Sequence, residues 1–295
     1  MSPPPASDPY WVDPVLVFDL GFHRGEDTAY YLALGRRVIA VEANPELVAE
    51  GHRRFAVEIA ASRLVLLHAA VVGEHQRREQ SVVAFFPHPS HSEWGSVDPR
   101  WVERNATVHG LPHAPSVEVP CVSLPLLVER HGTPSFLKID IEGVDTEVLR
   151  DLALLSVRPA TLSWETGKES WRAVLRQHRQ LRRLGYRRFR VVQQACQHRL
   201  QPAALPDGTL WPFPPGCSGP LPQLSETAWR SIGWVLLQYT LLFGWYGLVG
   251  PRSWFARASR SRRPWLHRIP RAVQAWARQR DLPLPGWYDS HARLD

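Results

Sequence analysis

Short, almost wholly apolar runs alternate with stretches of helical period over the first two thirds of this chain. Val15–Leu20, Arg37–Ala43, Leu64–Val71, Phe136–Ile141, Ala160–Trp164 and Arg187–Val192 read as strands, with Ser81–Phe86 as another at an edge. Runs of this kind belong to strands buried on both faces. Helices fill the gaps. Asp27 and Thr28 can cap one that stops at Gly35, and Asn44-Pro45 opens one that runs to about Ala61. Leu124–Arg130 ends at Gly132, a further helix starts near Asp145, and Glu169–Leu184 stops at Gly185. Strand and helix in alternation predict an α/β fold, with a mainly parallel sheet and helices on both faces. Ligands in such sheets sit beyond the carboxyl ends of the strands, near the point where the strand order reverses. The residues that follow each strand are therefore the ones to examine.

Composition narrows the class. Hydrophobic residues make up 44% of the 295 and charged residues 21%, as in ordinary globular proteins. Cys121, Cys196 and Cys217 lack paired spacing, so neither a disulfide framework nor a zinc site is expected. A reducing, cytoplasmic setting follows. The net charge of +7 is uneven: Thr227–Asp295 carries eleven arginines against three aspartates, leaving the first 226 residues near neutral. Without a basic stripe for phosphates, the main domain is not expected to take a nucleic acid.

Residues 1–14 are proline-rich and polar, without the layout of a signal peptide, and read as a disordered lead. Residues 15–201 form the main domain. Residues 202–226, with seven prolines up to Pro222, read as a stiff linker, and 227–295 as a basic, Trp-rich, helical extension. Within that extension Ser231–Pro251 holds no charged residue over 21 positions and is followed by Arg252, Arg257, Arg260, Arg262, Arg263, Arg268 and Arg271. This layout admits a membrane span. Gly233, Gln238, Thr240, Gly244 and Gly247 equally suit a buried helix, or an interfacial one touching a membrane surface through 231–271.

Chemistry concentrates at three strand ends. The first reads Asp19-Leu20-Gly21-Phe22-His23-Arg24-Gly25-Glu26-Asp27-Thr28. Gly21 and Gly25 permit a tight turn and close approach to a ligand. The pattern is D-x-G-x-x-x-G rather than the G-x-G-x-x-G of dinucleotide sites. A carboxylate at the loop mouth suits an ammonium or sulfonium better than a pyrophosphate. The second strand ends in Glu42, 23 residues after Asp19. A carboxylate there can accept both hydroxyls of a ribose; its local alternative is helix-start electrostatics beside Asn44-Pro45. The third is Lys138-Ile139-Asp140-Ile141-Glu142-Gly143-Val144-Asp145. A helix start seeded with acids explains Asp145 and Glu142. It does not explain Asp140, which lies in an apolar run where a lone carboxylate is costly.

These blocks resemble the FkbM family of S-adenosylmethionine-dependent methyltransferases. So do Glu93-Trp94-Gly95-Ser96, Trp101–Asn105, Tyr186–Phe189, Ser218-Gly219-Pro220 and Trp287–Ala292, so that the similarity touches most of the chain except about 227–285. Lys138–Gly143 is the most specific part. Two departures are Phe22-His23 for a frequent Ala-Asn, and Val144-Asp145 for Ala-Glu. The resemblance implies a class I methyltransferase sheet, Rossmann-like and seven-stranded with one antiparallel strand. It implies S-adenosyl-L-methionine as cofactor, and methylation of a hydroxyl on a sugar, glycan or secondary metabolite. Asp19, Gly21, Gly25 and Thr28 would then serve the methionine end, Glu42 and Ala43 the ribose side, and Ala69 and Ala70 the adenine. Asp140 would lie near the methyl group.

A hydroxyl acceptor benefits from a base, for which Asp140 and Glu142 are the candidates, ahead of His23, His91 and His131. A metal held by Asp140 and Glu142 is the competing route, although no H-x-E or C-x-x-C spacing supports it. Residues 91–96 can serve as a lid over the acceptor or as a plain surface loop. Two other functions stay open: a nicotinamide-dependent oxidoreductase, and a non-catalytic membrane-surface or glycan-binding module on a degenerate methyltransferase fold.

Overall fold

The computed structural model describes residues 11–88, 95–100, 102–103, 115–141, 143–167, 170–194, 197, 200–222, 228–249 and 287–295. Its central sheet has seven strands: β1 (Val12–Leu20), β2 (Arg37–Glu42), β3 (Leu64–His68), β7 (Thr133–Ile139), β8 (Thr161–Glu165), β9 (Tyr186–Gln193) and β12 (Tyr288–Leu294). They lie in the order β3-β2-β1-β7-β8-β12-β9. Neighbours from β3 to β8 pair in parallel, and β12 runs antiparallel to both β8 and β9. The expected seven strands with one reversed are therefore present. The order turns back between β1 and β7, so the crevice opens over those two strand ends.

Alternation along β1 explains its apolar run. Leu16, Phe18 and Leu20 enter one core with Ile39, Val41, Leu137 and Ile139, covered by α5 (Leu124–His131), α6 (Asp145–Asp151), α7 (Trp171–Arg183) and α8 (Ile232–Val249). Val17 enters the opposite core with Val38, Ala40 and Phe136, beneath α1 (Glu26–Ala33) and α2 (Pro45–Arg54). Both faces are buried, so strand period is hidden by apolar residues on each side. Asp19 shares the Val17 face and stands beside Lys138 in the parallel register of β1 and β7.

Local signals hold where their geometry is simple. Asn44 caps α2, its side chain accepting the Glu46 N–H at 3.0 Å, with Pro45 in the first turn. That helix ends at Arg54, and α3 (Ala56–Ala60) continues the expected stretch. The first helix differs from expectation. Its cap is Gly25 at φ 77°, because Asp27 and Thr28 are engaged by Ser218, Lys138 and Asp19. Leu64–Val71 divides at Ala69: β4 (Ala70–Val71) joins a second sheet, β4-β6-β5, with β5 (Val82–Phe85) at its edge. β6 (Val117–Val122) has no counterpart in the sequence reading, since Pro120 argues against a strand. Cys121 N–H donates to Ser81 toward β5. The Pro120 nitrogen thus faces the other way, where β4 pairs only with Cys121 and Val122.

The expected division at 201 and 226 does not separate the fold. Residues 202–222 contain the hairpin of β10 (Ala203–Ala204) and β11 (Leu210–Trp211), and they bury Phe213, Cys217 and Leu221 against Tyr30 and Tyr31 of α1. The chain's last strand, β12, sits inside the main sheet. The charge-free run forms α8, which buries Val235, Tyr239 and Leu242 in the main core and packs on α7 and β9. The Tyr239 hydroxyl hydrogen-bonds Thr166 at 2.9 Å. No helix among the described residues is long and apolar enough to cross a membrane.

Candidate active site

The loop after β1 turns on Gly21, at φ 95°. A Cβ at this position would lie 1.8 Å from the Asp140 carbonyl oxygen, so the exits of β1 and β7 are pressed together and only glycine fits. Asp140 N–H donates to Leu20 O at 2.9 Å across the same junction. The loop then crosses to β2, where the N–H groups of Gly21 and Phe22 both reach Val41 O at 3.0 Å.

Glu42 is the last residue of β2. Its Oε2 accepts the His23 N–H at 2.8 Å and its Oε1 accepts the Asn44 N–H at 2.9 Å. Burial pushes its carboxyl above the ordinary range, opposed by the backbone N–H groups of Asn44, His23 and Ala43. The loop backbone thus fixes the orientation of an acid whose outer side faces open space.

Lys138 is the hub of the floor. Its ammonium lies 3.2 Å from Asp19 Oδ1, 3.2 Å from Asp27 Oδ2 and 3.5 Å from Asp140 Oδ2, and donates to Gly21 O at 3.3 Å. Burial opposes its charge, but Asp19, Asp27 and Asp140 outweigh that and hold it well above the ordinary lysine range. Ser218 braces Asp27 from the far side, its N–H and hydroxyl each 2.7 Å from a carboxylate oxygen.

Over this floor lies a cavity of 1170 Å³. It exceeds the ~300–1,000 Å³ typical for one small ligand, leaving room for two reactants. Its wall includes Gly21, Glu42, Ala43, Ala69, Ala70 and Asp140 among the residues expected at a site. Asp19, Gly25 and Thr28 are not on it. Asp19 is fully buried, with its oxygens bound to Lys138 and the Thr28 hydroxyl. It sets the position of Lys138 rather than touching a ligand. A Cβ at Gly25 would meet the Phe22 and Phe55 rings at about 2.7 Å, so this glycine serves packing under the loop. Glu142, His91 and most of the 91–96 segment lie outside the described residues. Of the other histidines, His23 lines the cavity and His131 does not. Cys121 is half-buried in β6, and burial raises its thiol.

Several wall residues were not read from the sequence as site residues: Asp27, Lys138, Glu165, Gly216 and Trp287. Lys138 alone left a trace, being one of only two lysines among 35 basic residues and lying inside a buried strand. Among the described residues no three His, Cys, Asp or Glu side chains are grouped so as to hold a metal ion.

A family model described as the methyltransferase FkbM domain matches residues 19–188. A search of curated proteins gives no match. Among solved structures, the chain is similar to precorrin-6y C5,15-methyltransferase from Geobacter metallireducens GS-15, with 11% identity over 62% of this chain and 69% of that one and a TM-score of 0.34. It is also similar to a SAM-dependent methyltransferase from Geobacter sulfurreducens in complex with S-adenosyl-L-homocysteine, with 10% identity over 97% of this chain and 86% of that one and a TM-score of 0.31.

Proposed function

The chain belongs to the FkbM family of methyltransferases, and on that premise we propose that it moves a methyl group from S-adenosyl-L-methionine to a hydroxyl oxygen of a sugar or secondary metabolite. The observation that carries the donor assignment is the braced Glu42 carboxylate, offered to the cavity beside a tightly turned glycine loop.

The walls fit this donor at three points. Glu42 suits the two hydroxyls of a ribose. Ala43, Ala69 and Ala70 leave a slot with small side chains beyond it for adenine. The floor sets three acids, Asp27 and Asp140 on the wall and Asp19 behind, against the single ammonium of Lys138, and this excess of negative charge suits a group carrying positive charge. The same features disfavour a dinucleotide. Glu26 and Asp27 occupy the first turn of α1, and the His23 N–H is already given to Glu42. A pyrophosphate would meet carboxylates where it needs free N–H donors.

The donor supplies a methyl group on a sulfonium, open to in-line displacement. The chain's share is alignment, worth roughly 7–11 kcal/mol when the reacting atoms are held in line. Asp140 stands at the exit of β7 with 26% of its side chain exposed and one oxygen near Lys138. Its carboxylate would accept the proton of the acceptor hydroxyl as the oxygen–carbon bond forms and the methyl carbon–sulfur bond breaks, with S-adenosyl-L-homocysteine as the leaving group. A base so placed contributes about 10²–10⁴-fold. Lys138 keeps that carboxylate at the junction of the two strand exits.

Calorimetry tests the donor assignment. S-adenosyl-L-homocysteine should bind and NADH should not. Glu42→Ala should weaken the homocysteine ligand about 10- to 150-fold, from the loss of ~1.5–3 kcal/mol of charge-assisted hydrogen bonding. Binding of NADH, or an unchanged affinity in the variant, overturns the assignment.

A further inference from the structure

On the methyl-transfer reading, the donor would take the part of the cavity over β1, β2 and β4. The cavity continues past β7 to the end of β8 and the start of β12, and this second half is acidic. Asp140 follows β7, Asp145 opens α6, and Glu165 ends β8; all three are on the wall. Asp289 lies behind them, opposite Glu165 in the β8–β12 register. Lys138, 3.5 Å from Asp140, is shared with Asp19 and Asp27 at 3.2 Å each, and Arg100 also stands on the cavity wall.

Two atoms there point to a ligand. Asp145 is 8% exposed, and its Oδ1 is buried without a hydrogen-bond partner. The indole N–H of Trp287, on the same wall, is also buried without one. Unmade hydrogen bonds at buried polar atoms cost about 1–3 kcal/mol each. Burial, with the charges of Glu165 and Asp140, pushes the Asp145 carboxyl well above the ordinary range. Burial and the same two acids do likewise to Asp289. A cation placed among them relieves both penalties. The acids are not grouped as a metal site among the described residues, and their spread along a wall suits a larger organic cation.

We propose that the acceptor is a polyhydroxylated molecule bearing an ammonium group, an amino sugar or aminocyclitol, with the ammonium held by Asp145 and Glu165 beside Trp287 and a neighbouring hydroxyl presented to Asp140. This inference rests on the methyl-transfer reading and names its substrate class. An ammonium brings three donors, enough for Asp145 Oδ1, Glu165 and a further acceptor. The Trp287 ring adds a surface for cation–π or sugar-face contact, and its N–H can donate to a ring oxygen. A carboxylated or phosphorylated acceptor meets like charge instead, which selects against it.

A matched set tests the charge preference at one carbon: 6-amino-6-deoxyglucose, glucose and glucuronate, each titrated calorimetrically at millimolar concentration into protein saturated with S-adenosyl-L-homocysteine. The amino sugar should bind at least about tenfold more tightly than the other two, the equivalent of one charge-assisted hydrogen bond. The preference should vanish in Glu165→Gln and in Asp145→Asn, with homocysteine-ligand affinity kept within about twofold. Because Asp145 starts a helix, Glu165→Gln decides the matter if the other variant fails to fold. Equal binding of the three sugars, tighter glucuronate, no binding of any, or a preference retained in the variants overturns the proposal. Failure of S-adenosyl-L-homocysteine to bind at the outset overturns the donor reading instead, and this inference with it.

Discussion

Replacing Lys138 by Met removes one charge from the floor while keeping most of the side chain's length and volume. Three carboxylates lose a partner, but unequally. Asp27 keeps both groups of Ser218 at 2.7 Å. Asp140 has 26% of its side chain exposed and can be solvated from the cavity. Asp19 is 0% exposed and retains the Thr28 hydroxyl at 2.6 Å. The dominant cost is therefore one orphaned buried carboxylate, about 3–5 kcal/mol. For a domain of this size that lowers Tm by roughly 6–20 °C. Urea unfolding should show a lower midpoint at unchanged slope. The paired variant Asp19→Asn, Lys138→Met removes the orphaned charge while an amide oxygen still accepts from Thr28, and should recover about 2 kcal/mol of the loss. A Lys138→Met protein within about 1 kcal/mol of the wild type, or a double variant no more stable than the single one, refutes the hub.

Ser218→Ala removes one of two hydrogen bonds to Asp27; unfolding free energy should fall by about 1.5–3 kcal/mol, and calorimetric Tm reads it. His178 is wholly buried, and burial pushes its imidazole down to about 4. An unfolded chain takes up that proton near 6.5, so its contribution is complete above pH 6.5 and is lost as pH falls toward 4. Between pH 7 and 4 the wild type should lose about 3 kcal/mol more than His178→Phe; parallel pH profiles refute this. We also propose membrane-surface contact through 231–271, which draws on exposed Trp234, Leu237 and Leu241 of α8. Anionic vesicles should pellet the protein, less so after Trp234→Ser with Leu241→Ser, and a protein left in the supernatant refutes it.

Much of the parallel sheet was legible because its strands are buried on both faces and read as apolar runs. Glu42 stood out as a carboxylate ending an apolar strand, with a ribose or the next helix start as its alternatives; it accepts the His23 and Asn44 N–H groups and lines the cavity. Asp19 was singled out as the carboxylate at the mouth of the glycine loop, yet it lies buried behind the cavity wall. Only the register of β1 against β7, which sets it beside Lys138, shows that its oxygens are taken. β12 was illegible because it buries Asp289, Ser290 and His291 where an apolar pattern is expected. Its polar atoms are met by distant residues, as Ser290 is by Thr166 at 2.8 Å. The acceptor half shares this origin: Glu165 and Trp287 are 122 positions apart in sequence and meet only because the terminal strand inserts beside β8. Pro-rich 202–226 looked like a linker because proline marks loops, yet Phe213 stacks edge-on against Tyr30 at 5.3 Å and seats residues 202–222 on α1.

A crystal structure grown with S-adenosyl-L-homocysteine addresses the donor pocket most directly. Both ribose hydroxyls should fall within hydrogen-bond distance of the Glu42 carboxylate, with adenine against Ala69 and Ala70 and the sulfur turned toward Asp140. A nucleoside lodged elsewhere, or a ribose with no contact to Glu42, contradicts it.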